Sequence, residues 1–222
     1  MIKVIKNGTV ITMDPKREKV EKLDIVIKDN IIIDITDNYC GAYDELIDAK
    51  GKIVMPGLIN AHTHLGMSIF RATNDSLKLQ DWLTLKIWPI EDKLTNDDVY
   101  YSTLLSCIEM IKSGTTTSND MYFNCDGSIK ALKKMKVRSL FSRCLQDFDS
   151  NGDSKIDEFL KLYEENKNDE LIKFCVSAHA FYTCSSEYLK KCSDLALKLD
   201  MPLHIHFCEN LKELEDIKNK YN

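Results

Sequence analysis

From Leu58 onward, short apolar runs alternate with segments of helical period. Leu58–Ala61, 115–118, 137–144, 171–178 and 203–207 read as strands. Segments 99–111, 128–135, 155–166 and 185–199 read as helices between them, and a further helix opens at Leu211. Strands separated by helices bury both faces and call for a parallel sheet, so this part of the chain is α/β. Local signals set the helix ends. Thr95 with Asp98 forms a capping-box pair, Ser113-Gly114 stops that helix, and Ser185 or Ser186 can cap another.

The first fifty residues behave differently. Lys3–Met13 reads as a strand broken at Asn7-Gly8, and 24–35 as two β-rich runs about Asp29-Asn30. Residues 45–48 and 52–54 add short β segments around Gly51. The chain therefore divides into a small β module, 1–54, and an α/β segment, 55–222, with the change at Met55-Pro56-Gly57.

Polar residues collect at the carboxyl ends of the α/β strands: His62, His64, Arg143, His179, His206 and Glu209. A (β/α) barrel places its active site there. A doubly wound sheet obeys the same rule but concentrates its site at one switch point, so polar groups after several strands favour the barrel.

His62 and His64, two apart on a strand, face the same way and can enclose one ion. His204 and His206 repeat the spacing. His206 is nearer the strand end and is the expected third ligand, with His204 a layer deeper, packed and hydrogen-bonded. Glu209 follows three residues later, where a carboxylate can move a proton between metal-activated water and a leaving nitrogen; the plain alternative is an N-cap or first-turn glutamate of the next helix. His179 has no partner two residues away and suits a hydrogen bond to substrate or a developing oxyanion, although a satisfied core histidine fits as well. Arg143 ends a strand and can reach a polar substrate; from pattern alone Glu91 is ordinary helix surface. Trp82 and Trp88 sit in an apolar segment, 67–88, that reads equally as a pocket wall against a flat ring or as a structural helix.

Thirty basic against thirty-five acidic residues give −5, which recruits neither nucleic acid nor an anionic membrane. The densest basic group, Lys133, Lys134, Lys136 and Arg138, reads as the solvated end of a helix. No stretch is long and apolar enough to span a bilayer. Eight cysteines without CxxC spacing read as buried free thiols of a cytoplasmic protein.

The motifs Asn7-Gly8 with Ile11-Thr12-Met13-Asp14, PGLINAHTHLGM, DWL…IWPIE, SGTTTSND, SAHAFYTCS and HIHFCEN run nearly end to end. In that order they resemble the amidohydrolase superfamily, within it the 5-methylthioadenosine/S-adenosylhomocysteine deaminases and the triazine chlorohydrolases. The resemblance implies a metal-dependent (β/α)8 barrel with a small β-sandwich, here covering about five barrel strands. It implies hydrolysis of C–N bonds on adenosine-like purines, with a triazine chlorohydrolase or a guanine/cytosine-type deaminase as alternatives.

It further implies one divalent ion, zinc or iron, on His62, His64 and His206, and Glu209 as proton shuttle. Glu91, Arg143, His179, Trp82 and Trp88 fall at substrate-contacting positions, the partner being a small purine nucleoside derivative and the full-length protein a homo-oligomer. Ala72 and Phe181 depart from the glycine and proline usual in relatives. A sixth-strand histidine and an eighth-strand aspartate of the family have no counterpart among these residues, so the 222-residue chain is expected to turn over little by itself.

Overall fold

Val10, Leu23 and Ile25 form the small core of a first unit, Met1–Gly57, packed with Ile5, Ile27, Ile35 and Val54. The computed structural model describes residues 1–16, 21–73 and 76–221 and divides into this unit and a second, Leu58–Asn222. Strands β1 (Ile2–Val10), β2 (Glu21–Lys28), β3 (Ile31–Thr36) and β4 (Glu45–Asp48) lie in the order β3-β2-β1-β4, with β5 (Ile53–Val54) also on β1. The Asn7-Gly8 interruption is a bulge. Pairing jumps from Ile5↔Ile25 to Gly8↔Leu23, and Asn7 takes φ 63, a conformation asparagine tolerates.

Among the described residues the second unit holds six parallel strands: β6 (Leu58–Thr63), β7 (Thr115–Tyr122), β8 (Arg138–Leu145), β9 (Ile172–Phe174), β10 (Val176–Ala180) and β11 (Leu203–His206). Their order is β11-β10-β8-β7-β6, with β9 on β8. The strand expected over 171–178 is therefore two pieces broken at Cys175. Strand β7 runs to Tyr122, past the expected end at Ser118, because the polar pair Asn119-Asp120 is accommodated by tertiary contacts rather than by a turn.

Helices connect these strands: α3 (Asn96–Ser113), α4 (Cys125–Met135), α5 (Gly152–Asn166) and α6 (Ser186–Leu199), with α7 (Leu211–Tyr221) following β11. The Thr95/Asp98 capping box opens α3, and Gly114, at φ 80, closes it in the left-handed conformation that glycine adopts without strain. Ser185 caps α6 by accepting from the Tyr188 amide. The core lies between these helices and the sheet, around Phe141, Leu145, Phe159, Ile172, Phe174 and Val176. Six of the eight cysteines are buried; Cys40 and Cys208 are exposed, against the expectation of burial throughout. No helix among the described residues is long and apolar enough to cross a membrane.

The sheet is curled. His64 follows β6 and His206 ends β11, the outer strands of five positions. A flat sheet with strands about 4.8 Å apart would separate them by about 19 Å, yet their Nε2 atoms are 3.0 Å apart. Register shifts sit beside the site residues, between Asn60 and Thr63 on β6 and between Ser177 and Ala180 on β10. Such bulges bend a strand and re-aim its side chains. The second unit is a half-barrel whose carboxyl-end mouth brings the two outer strands together.

Candidate metal centre and adjoining pocket

One potential ligand atom from each of His62, His64 and His206 falls within 4.8 Å of the others. Two nitrogens sharing a tetrahedral ion at zinc–nitrogen distances are about 3.3 Å apart, close to the 3.0 Å between His64 and His206. The outer hydrogen bonds suit the same use. His64 Nδ1 lies 2.5 Å from the Met121 carbonyl and His206 Nδ1 lies 2.7 Å from that of His179. A carbonyl only accepts, so each Nδ1 carries the hydrogen and each Nε2 keeps its lone pair for a cation. Burial, offset in part by the Met121 bond and aided by neighbouring imidazoles, pulls His64 down to about 4; burial and His206 lower His62. Neutral imidazole is the ligating form. This donor set fits one divalent ion and leaves a coordination position open, as catalytic zinc sites do.

Two buried side chains fix the exit from β6. The Asp120 carboxylate accepts from the Leu65 amide at 2.8 Å, and the Ser106 hydroxyl donates to the Leu65 carbonyl at 2.8 Å. Both backbone groups of the residue after His64 are thereby held. Gly66 comes next, where a Cβ would lie 2.4 Å from the Tyr122 ring, so only glycine lets the turn approach β7 this closely. Asp120 is fully buried, its second oxygen has no partner among the described residues, and burial raises it to about 7.

A cavity of about 120 Å³ opens against the histidines. Its walls include His64, His206, His179, Glu209, Glu91, Trp82 and Trp88, seven of the nine residues singled out from sequence. The tryptophans come from the segment that sequence left between a pocket wall and a structural helix; it is helical and also lines the pocket, as α1 (Leu79–Trp82), a π turn (Leu83–Ile87) and α2 (Trp88–Glu91). Trp88 stacks on Phe148, ring centres 5.7 Å apart. Glu91 accepts from the Tyr122 hydroxyl at 2.8 Å, and burial raises its carboxyl above the usual range. His179 is held through Nδ1 by the Thr183 hydroxyl at 2.7 Å, and burial with the His206 ring lowers it to about 3.

Glu209 reaches the pocket through a turn at Cys208, whose φ of 54 is rare for a residue with a β-carbon. Its Oε2 accepts from the Tyr182 hydroxyl at 3.3 Å. The helix-capping alternative for Glu209 is taken by its neighbour, since Asn210 Oδ1 accepts from the Glu213 amide at 2.9 Å.

Arg143 stands apart from the histidines. It lines a second cavity of about 320 Å³ that shares Trp88, Glu91, Phe123 and Gln146 with the first. Its Nε donates to Glu158 at 2.8 Å, and its guanidinium lies over the Phe123 ring. Sequence reasoning passed over Asp120, Tyr122 and Tyr182. Asp120 left one signal, a carboxylate at the end of a Thr/Ser/Asn run followed at once by apolar Met-Tyr-Phe.

A parallel half-barrel with a histidine cluster at its carboxyl-end mouth is the arrangement of the metal-bearing part of a (β/α) barrel. The model of the amidohydrolase family matches residues 53–222, and the chain belongs to that family. It is similar to the 5-methylthioadenosine/S-adenosylhomocysteine deaminase of Thermoanaerobacter pseudethanolicus, 43% identical over 98% of this chain and 52% of the relative. It is also similar to the 5'-deoxyadenosine deaminase of Methanosarcina acetivorans, 40% identical over 98% and 51%. A solved adenosine deaminase from Xanthomonas campestris with bound zinc superposes with a TM-score of 0.91 at 28% identity, covering 99% of this chain and 52% of that one. The chain spans about half the length of the curated relatives it matches.

Proposed function

We propose that this chain carries the metal-binding and ring-binding part of a hydrolytic deaminase acting on adenosine-like purine compounds. The carrying observation is that Glu209 and two members of the three-histidine cluster, His64 and His206, face the same cavity. A divalent ion on His62, His64 and His206, zinc first and iron second, supplies Lewis acidity that lowers the pKa of water. Glu209 takes the proton from the attacking water and returns it to the leaving nitrogen. His179, locked by Thr183, hydrogen-bonds the substrate. Trp82 and Trp88 flank the ring, and Glu91 accepts from sugar hydroxyls.

The cavity at the histidines, about 120 Å³, has room for a ring but is small against ordinary ligand sites of about 300 Å³ or more. The sugar and its 5′ group extend into the second cavity, toward Arg143. The same small volume favours a second reading, a ring substrate with no sugar. Free thiols at all eight cysteines support a cytoplasmic setting.

In the protein that carries this chain, Glu209→Gln is expected to cut ammonia release from 5'-deoxyadenosine by about 10²–10⁴-fold with metal content unchanged. Loss of metal would make Glu209 a ligand instead. Faster release from a free base than from the nucleoside would favour the second reading.

A further inference from the structure

We propose that His204 is a positioning residue that holds His62 in its ligand-ready tautomer; this rests on the metal reading above. His64 and His206 present their outer nitrogens to backbone carbonyls, which leave no choice of tautomer. His62 differs. Its Nδ1 meets His204 Nε2 at 2.8 Å, the rings edge to face with centres 5.0 Å apart. An imidazole nitrogen can donate or accept, so two arrangements satisfy that contact.

In the first, His62 Nδ1–H donates to His204 Nε2, and His62 Nε2 keeps a bare lone pair. In the second, His204 Nε2–H donates, and neutral His62 carries its hydrogen on Nε2, which then cannot ligate. The first arrangement requires His204 to be protonated on Nδ1. That atom is buried and has no hydrogen-bond partner among the described residues. Metal on His62 Nε2 selects this arrangement, because only it leaves that lone pair bare; a water or carbonyl reaching His204 Nδ1 would lock the pair in the same state before metal binds. His204 is therefore more than the packed deeper-layer residue expected from sequence. It is the one side chain among the three outer partners, and so the one a substitution can remove.

The test uses zinc and the 222-residue chain. Long-range ¹H–¹⁵N correlation spectra of the zinc-loaded wild type are expected to show His62 and His204 both protonated on Nδ1; His204 protonated on Nε2 would overturn the inference without any variant. Competition with a chromophoric chelator then measures affinity. His204→Leu removes the acceptor and is expected to weaken zinc about 10–100-fold. His204→Gln places a carbonyl oxygen near the lost Nε2 and is expected to bind close to wild type. Leu binding as tightly as wild type, or Gln as weakly as Leu, sinks this role while the metal site stands. A wild-type chain that binds no zinc overturns both. Should the Leu variant fail to fold, the tautomer spectrum and the Gln arm still decide.

Discussion

The inner strands β7, β8 and β10 and the outer strands β6 and β11 are built to opposite rules. Along β8 nearly every residue from Ser139 on is buried, with Phe141 and Leu145 at 0% exposure. No residue of β6 or β11 is fully buried, and each carries members of a histidine pair at its end. The candidate metal ligands thus contribute little to the core, and the core strands supply none of them. Side chains at the ends of the outer strands meet because the sheet between them curls.

Removing a ligand gives the largest effect that can break this comparison. His64→Ala deletes one of three donors and is expected to abolish stoichiometric zinc binding, read by equilibrium dialysis. The unfolding midpoint of the metal-free chain should fall only slightly, since His64 is half-buried and lies outside the core clusters, and its loss unpairs one acceptor, the Met121 carbonyl. A large fall in that midpoint would mean that the outer strands carry the fold after all.

A core truncation should do the reverse. Phe141 packs edge-on against Phe174 in the middle of the sheet. Phe141→Ala is expected to cost about 3–5 kcal/mol in urea unfolding. Zinc affinity of the molecules still native should stay near that of the parent. If it drops sharply under conditions where the variant is folded, curl and site are coupled more tightly than the separation of strands implies.

The half-barrel and the histidine pairs at its mouth were legible because periodicity and spacing act locally. Alternating strands and helices, the Thr95/Asp98 box and the two i, i+2 histidine pairs all lie within a few residues of one another. What was illegible depends on distant contacts. Asp120 looks like a strand terminator, and only the Leu65 amide, 55 residues away, makes it an interior residue. The contact of His204 with His62 spans 142 residues and exists only because the sheet curls. The helix bearing Trp82 and Trp88 is interrupted by a π turn, which shifts its apolar positions off a regular helical period. The registers of the bulged strands were hidden for the same reason, since a bulge is a property of a pair of strands.

The smallest effect sharpens the comparison through pH. Burial, followed by neighbouring imidazoles, lowers His64 and His204 to about 4 and His179 to about 3 in the folded, metal-free chain. Unfolded histidine takes its proton near pH 6.5. Between those values the unfolded state binds more protons, so their contribution to stability is full above pH 6.5 and is lost as pH falls toward 4. Asp120 on β7 pulls the other way. Its carboxyl, raised to about 7 by burial, stays protonated in the fold where the unfolded chain has ionised, so its contribution is present at low pH and lost as pH rises through 7. Glu91, also raised by burial, has the same sign. His62 is lowered in the same direction, so four histidines against two carboxyls leave a net loss on acidification. Urea unfolding of the metal-free chain should give lower stability at pH 4.5 than at 6.5, and Asp120→Asn should steepen that loss by removing an opposing group. Stability that is flat or rises on acidification, or a slope that Asp120→Asn makes shallower, would mean that the mouth histidines are not held neutral by burial. The curl would then bring them together without drying them.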